Sequence, residues 1–405
     1  MESADILIKN ANELITLEGP NKPRIKKEMG NLSIIKDGSI SIKDGLIARV
    51  GKNLNCKAET TIDAKGKTVM PGFVDPHTHL VFAGSREFEL DWKLQGLSYM
   101  EILKKGGGIV YTVNVTRKAN QGDLQKQSCI RLDTMLQHGT TTCEAKSGYG
   151  LKTETELKIL KTNKKLNDIH PIDIVSTFLG AHAVPKEHKT EEYVSIVINE
   201  MIPKIKGLAK YCDVFCEKGV FTQKQSKKIL EAGKEHGLIP KIHADEIVDT
   251  GGASLSAKVG AISADHLLMS SDNGLKEMAK VGVIGILLPG TPFSLMQNTY
   301  APARKMINFG VPVALATDLN PNCWIENMQL ITQLACLNMK MAPAEAITAA
   351  TFNAACAIGR NAIVGSLEKG KQADVIILNC PNHKFIPYHF GVNLVETVIK
   401  NGRIV

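Results

Sequence analysis

The chain has 405 residues, 43% of them hydrophobic, and 49 basic against 41 acidic side chains give it a formal charge of +8. That excess is dispersed in short doublets such as Lys26–Lys27, Lys104–Lys105 and Lys164–Lys165, the pattern of a solvated surface and not of a nucleic-acid patch. The longest apolar stretch, Val281–Leu288, is too short to span a bilayer; nine scattered cysteines without a C-x-x-C pair and an acidic N-terminus predict a soluble, reduced, cytoplasmic protein.

In chain order, residues 1–66 read as short strands, among them Asp5–Lys9, Ser39–Lys43 and Leu46–Val50, separated by turns at Lys43-Asp-Gly and Gly51-Lys-Asn. Apolar strand-like runs then alternate with longer amphipathic stretches. The runs are Val69–Asp75, Thr140–Ala145, Ile172–Gly180, Asp213–Cys216, Ile239–Ile242, Ala261–Ala264, Val283–Leu288 and Pro312–Ala316. Eight βα units predict an α/β fold, a TIM-like (β/α)8 barrel. A doubly wound sheet would want a glycine-rich phosphate turn after its first strand, where this chain has Asp75-Pro-His-Thr-His. Short strands return at Asp374–Leu378 and Val395–Val405. The expected organisation is a barrel over 67–359 and a small β-sandwich domain built from both chain termini, 1–66 plus 360–405.

Titratable residues fall where a barrel carries its chemistry, at the C-terminal strand ends. His77 and His79 follow the first run, Lys146, Ser147 and Tyr149 the second, and His182 the third. Glu217 follows the fourth, His243 and Glu246 the fifth, His266 the sixth, and Asp318 with Asn320 the eighth. His77 and His79, two apart on an extended segment, project to the same side, as two ligands of one ion would. With His243, His266 and Asp318 they form a nitrogen and oxygen donor set that zinc or ferrous iron accepts, with no thiolate among them. His138, His170, His188, His236, His383 and His389 lie off the strand ends and read as structural or surface.

Together these motifs resemble the amidohydrolase superfamily: Pro71-Gly-Phe-Val-Asp-Pro-His-Thr-His, lone histidines after the fifth and sixth strands, and an aspartate after the eighth. Gly365-Ser-Leu-Glu-Lys-Gly-Lys-Gln-Ala-Asp is similar to the segment where such chains re-enter their small β-domain. Finer stretches resemble the branch that opens an imidazolone ring: His79–Arg86, Lys105-Gly-Gly-Gly-Ile-Val, Glu144-Ala-Lys-Ser-Gly-Tyr-Gly-Leu, Thr177–Pro185, Lys241–Glu246 and Ala316–Pro321. Gly106–Gly108 lacks the lysine-serine pair of a phosphate cradle and reads as a mobile loop.

The resemblance implies hydrolysis of 4-imidazolone-5-propanoate to N-formimidoyl-L-glutamate. It assigns one divalent metal per subunit, Zn2+ or Fe2+/Fe3+, to His77, His79, His243 and Asp318. Glu246 or His266 would orient or deprotonate the water, Asp318 would relay a proton, and His182 would face the oxyanion. Arg86 suits the carboxylate of an anionic small-molecule substrate, its other reading being an ion pair with Glu87 or Glu89. Tyr149, Tyr99 and Asn320 are further substrate contacts, and a homodimer is implied. The chain departs from the family where glycine and then serine or threonine usually follow D-x-N-P: it has Asn322 and Cys323, which puts product contacts there in question. Competing readings are a ring deaminase using the same metal site and a non-catalytic scaffold. The scaffold would be expected to have lost ligands.

Overall fold

The computed structural model describes residues 3–97 and 99–405, with the backbone alone at Tyr99, Met100 and Leu103. Eight parallel strands form one continuous sheet in sequence order. They are β1 (Phe73–Asp75), β2 (Thr140–Lys146), β3 (Asp173–Ala181), β4 (Tyr211–Cys216), β5 (Ile239–Ala244), β6 (Ser263–His266), β7 (Ile284–Leu287) and β8 (Val313–Leu315). Helices such as Gln121–Gln137, Thr153–Ile169, Gln223–Glu235 and Asp272–Val281 connect them and cover the outside. Their ends follow local chemistry. Thr222 Oγ1 accepts from Gln225 N to cap one helix, and Ser271 caps another that stops at Gly282 in the left-handed region (φ 78°).

The barrel's seam is closed just beyond the ends of β1 and β8. His79 N donates to Leu319 O (2.8 Å), Asp318 N donates to His77 O (3.1 Å), and Thr317 N donates to Asp75 Oδ1 (3.1 Å). The backbone that closes the barrel is therefore the backbone that carries the predicted ligands. Side chains alternate along each strand. In β2, Glu144 and Lys146 lie on one face and Cys143 and Ala145 on the other; in β5, Lys241 and His243 oppose Ile242 and Ala244. All eight are buried, so the barrel's interior is polar towards its C-terminal mouth, where layers of branched apolar side chains usually fill this fold.

The first run, read as one strand from Val69 to Asp75, is two. Thr68–Pro71 pairs antiparallel with Val375–Leu378 in a six-stranded sheet, and the chain passes to the barrel at Gly72. Gly72 N donates to Asp374 O while Phe73 N donates to Gly139 O, one residue serving each sheet. That six-stranded sheet combines strands from both ends of the chain. A four-stranded sheet of Leu46–Lys52, Gly38–Lys43, Ser3–Ala11 and Lys57–Asp63 lies beside it. Ile8, Ile40, Leu14, Val69, Ile377 and Ile399 belong to a core shared by the two sheets and separate from the barrel's. Among the described residues no helix is long and apolar enough to cross a membrane.

The transfer at Gly72 leaves no room for a side chain: an added Cβ would lie 2.3 Å from Thr141 Oγ1. Gly72→Ala should therefore lower stability by about 1–3 kcal/mol through overpacking, read as a lower urea midpoint. An unchanged midpoint would show that the sheet switch tolerates displacement.

Candidate active site

His77 and His79 emerge from β1, and His243 from β5. Each offers a ring nitrogen, and the three nitrogens lie within 4.8 Å of one another. Two rings are aimed from behind. His77 Nδ1 lies 2.6 Å from Asp265 Oδ2, and His243 Nδ1 lies 3.1 Å from Asp213 Oδ1. A carboxylate only accepts, so each Nδ1 carries the proton and each Nε2 presents a lone pair. Those two Nε2 atoms and Nδ1 of His79 are buried without a hydrogen-bond partner among the described residues. Burial first, then the positive groups around them, holds all three imidazoles well below the ordinary histidine range, hence neutral.

Asp318 completes the set. Its Oδ1 lies 3.4 Å from His77 Nε2 and 3.7 Å from His79 Nε2, while Oδ2 accepts from Thr291 Oγ1 at 2.6 Å. Its backbone is left-handed (φ 54°), a conformation held by the seam hydrogen bond to His77 O. Neutral imidazoles with orphaned nitrogens beside a carboxylate are the donor set of an open catalytic metal site. The residues present fit a divalent ion.

Behind the histidines lies a sealed ionic cluster. Lys146 Nζ contacts Asp213 (2.7 Å), Glu144 (2.9 Å) and Asp265 (3.3 Å), and Lys241 Nζ contacts Glu144 (2.8 Å). All five side chains are fully buried. Burial disfavours the Lys146 ammonium, but its three carboxylates outweigh that and push its pKa far up. A lysine held so firmly as an ammonium is unsuited to become a carbamate, which agrees with a single-ion site. Asp265, raised by burial, is brought below its ordinary value by Lys146 and Lys241 and stays ionised.

Four expected residues, His182, Tyr149, Glu246 and His266, lie around the site. His182 stacks on His79, with ring centroids 4.8 Å apart and an interplanar angle of 12°. Its Nδ1 lies 3.1 Å from Gly148 O, and burial pushes its pKa down to about 4. Neutral and donating to a carbonyl through Nδ1, it presents Nε2 as an acceptor, which suits a substrate N–H better than an oxyanion. Tyr149 packs against both rings, 5.5 Å from His79 and 5.3 Å from His182 by centroids. Its loop is held by the buried Glu156, whose carboxylate accepts from Gly148 N, Gly150 N and Leu151 N at 2.8–2.9 Å. Glu246 and His266 face each other, Oε1 to Nδ1 at 3.7 Å. Burial and then Glu217 raise Glu246 to about 7; burial raises Asp318 to about 6.

The rim departs from expectation in particulars. Arg86 is buried and paired twice with Glu89, Nε to Oε1 and Nη2 to Oε2, both at 2.8 Å. Glu89 also accepts from Gly108 N at 2.6 Å, so the Gly106–Gly108 triplet is pinned as the start of helix Gly108–Lys118 and is not a free loop. Asn320 braces its own turn: Nδ2 donates to Asp318 O, and Oδ1 accepts from Asn322 N and Cys323 N. Cys323 is buried, with Sγ 3.6 Å from Thr317 O. Asn322 Oδ1 accepts from Lys93 Nζ (2.6 Å) and Arg86 Nη2 (3.3 Å). The side chain of Tyr99 lies outside the described residues.

Sequence reasoning assigned no role to Glu144, Asp213, Asp265, Lys241, Glu156 and Thr291. Strand alternation could have found some of them: Lys241 is two before His243 and Glu144 two before Lys146, on the same strand faces. Because Asp265 fixes the His77 tautomer, Asp265→Asn should weaken metal binding about 10–100-fold, measured by chelator competition. An unchanged affinity would remove Asp265 from the site's support.

The model of the amidohydrolase family matches residues 68–405. The chain is 54% identical to an imidazolonepropionase of Alkaliphilus metalliredigens, covering 99% of this chain and 98% of that one. It is 55% identical to that of Geobacillus kaustophilus, covering 99% and 97%. Among solved structures it is similar in fold to a zinc-bound adenosine deaminase from Xanthomonas campestris, with TM-score 0.74, 17% identity and coverage of 100% and 93%. A triazine hydrolase variant gives TM-score 0.75 at 17% identity, covering 98% and 94%. The chain belongs to the amidohydrolase family and, within it, to the imidazolonepropionases.

Proposed function

We infer that the protein hydrolyses 4-imidazolone-5-propanoate to N-formimidoyl-L-glutamate, a step of histidine degradation. One observation carries this: full-length similarity to imidazolonepropionases falls on a chain in which His77, His79 and His243 bring three ring nitrogens together. We assign one divalent ion per subunit to His77, His79, His243 and Asp318. Their nitrogen and oxygen donors accept zinc or iron alike. When bound, the ion acidifies water towards neutrality and polarises the ring carbonyl.

The chain's own residues do the rest. Glu246, raised to about 7, takes the proton of the attacking water, and His266 holds that carboxylate in place. Water adds to the ring carbonyl carbon and the adjacent C–N bond breaks. Asp318, steadied by Thr291, relays the second proton of the added water to the departing nitrogen, and the first leaves Glu246 for solvent. His182 Nε2 accepts a ring N–H, and Tyr149, packed against the stacked histidines, extends that wall of the site. Arg86 offers the propionate the guanidinium edge that Glu89 does not occupy. Asn320 keeps the turn after Asp318 in register, with Asn322 and Cys323 lining that corner. Tyr99 is retained as a substrate contact, and the expected form, on the family resemblance, is a cytoplasmic homodimer.

The direct test incubates metal-loaded protein with imidazolone propionate and follows N-formimidoyl-L-glutamate, beside a panel of purines and cyclic amidines. Turnover of the first alone is expected; turnover only of the panel would make the chain a ring deaminase. Glu246→Gln should lower kcat about 10²–10⁴-fold with metal retained, and abolish the acid limb of the kcat/KM profile. That limb lies at or below pH 7, since loss of the Glu246 charge on acidification stops proton uptake. Unimpaired kcat would take Glu246 out of the mechanism. Arg86→Lys keeps the charge and loses the fork, so KM should rise with metal content normal; loss of metal instead would contradict a substrate role.

A further inference from the structure

Among the described residues, the charged contacts of Arg86 and Lys93 at the rim do not balance. Arg86 spends its Nε–Nη2 edge on Glu89, and Glu89 is buried and already committed to Gly108 N. The pair is close to neutral as a unit, which makes it a weak lure for an anionic substrate on its own. A second cation stands beside it. Lys93 lies on helix Glu89–Leu94, and its Nζ is 2.6 Å from Asn322 Oδ1, the same oxygen that Arg86 Nη2 approaches at 3.3 Å. One neutral amide oxygen thus sits between two cations from different parts of this segment. Within the bonded group of Arg86, Lys93, Glu89 and Asn322, two positive charges meet one negative charge. Burial depresses the Lys93 ammonium, with Glu89 offsetting that only in part, as expected of a cation short of a counter-charge. The amide oxygen lies on the turn that follows Asp318; that turn is fixed by Asn320 Oδ1 accepting from Asn322 N at 2.7 Å.

We propose that Lys93 is the second cation of the substrate's carboxylate site, and that Asn322 Oδ1 holds the place between Lys93 and Arg86 that a carboxylate oxygen takes on binding. The inference rests on the substrate assigned above. It gives the departure at Asn322 a role: the amide keeps the two cations together in the empty site and yields to a stronger, charged acceptor. Lys93 is then a specificity residue, adding a charge-assisted hydrogen bond that a neutral side arm would not receive in full.

The test compares imidazolone propionate with its propanamide analogue, in which –CONH2 replaces the carboxylate, on metal-loaded wild type, Lys93→Met, Lys93→Arg and Asn322→Gly. For Lys93→Met, KM for the acid should rise about 10–100-fold, the loss of one hydrogen bond to a charged group. The acid-over-amide preference in kcat/KM should fall by a similar factor, with kcat, metal content and thermal midpoint near wild type. Lys93→Arg should recover most of the preference, and Asn322→Gly should leave KM unchanged or lower it. An unchanged acid-over-amide preference in Lys93→Met would overturn the proposal, and so would equal losses on both substrates. A KM raised by Asn322→Gly would overturn the displacement of its amide. If wild type turns over neither compound, it is the substrate assignment that fails.

Discussion

Five ionisable side chains sealed inside the barrel decide where the imidazoles point. Lys146 contacts Glu144, Asp213 and Asp265, Lys241 also pairs with Glu144, and Asp265 and Asp213 receive Nδ1 of His77 and His243. Such a cluster is costly to desolvate and is held only because its members satisfy one another; removing one partner of a buried ion pair typically costs about 3–5 kcal/mol. With two positive and three negative charges, it leaves an excess negative charge beneath the point where the free imidazole nitrogens meet. A divalent cation there is balanced by the cluster and by Asp318. The arrangement therefore orients the imidazoles and supplies counter-charge together, while burial keeps the rings neutral.

The seam of the barrel adds a second constraint. His77, His79 and Asp318 lie on the backbone that joins the first strand to the last, so ligand geometry and barrel closure are one structural fact. Gly72 permits this by letting the chain leave the terminal sheet and enter β1 within a single residue. At the mouth, Asp245, His266 and Asp318 take left-handed backbone angles. Asp245 shows how the strain is held: its carboxylate accepts from Gly252 N, Ala253 N and Ser270 Oγ, which fixes the loop carrying Glu246.

Much of this was legible in the sequence because the signals are local. Strand runs, with a polar residue at the end of nearly every one, located the barrel and its mouth, and H-x-H marked two of the three histidines that converge there. What escaped was non-local. The division of Val69–Asp75 depends on pairing with Val375–Leu378, more than 300 residues away in the chain. The ion pair of Arg86 with Glu89 was open as an alternative from their spacing, but its burial and the tie of Glu89 to Gly108 N depend on how the segment after His79 folds back. The acceptor character of His182 Nε2 is set by a carbonyl on another loop, that of Gly148. Asn322 was visible as a departure from the family; only the fold brings it against Lys93 and Arg86.

The central claim is that one ion sits where His77, His79 and His243 converge on Asp318, with Lys146 remaining a counter-charge behind them. Anomalous diffraction from zinc-loaded crystals tests it most directly. A single peak per chain within about 2.0–2.2 Å of a nitrogen of each histidine and of Asp318 Oδ1 is the predicted result. A peak between Glu144 and Asp265, or a second peak bridged through a modified Lys146, would contradict it.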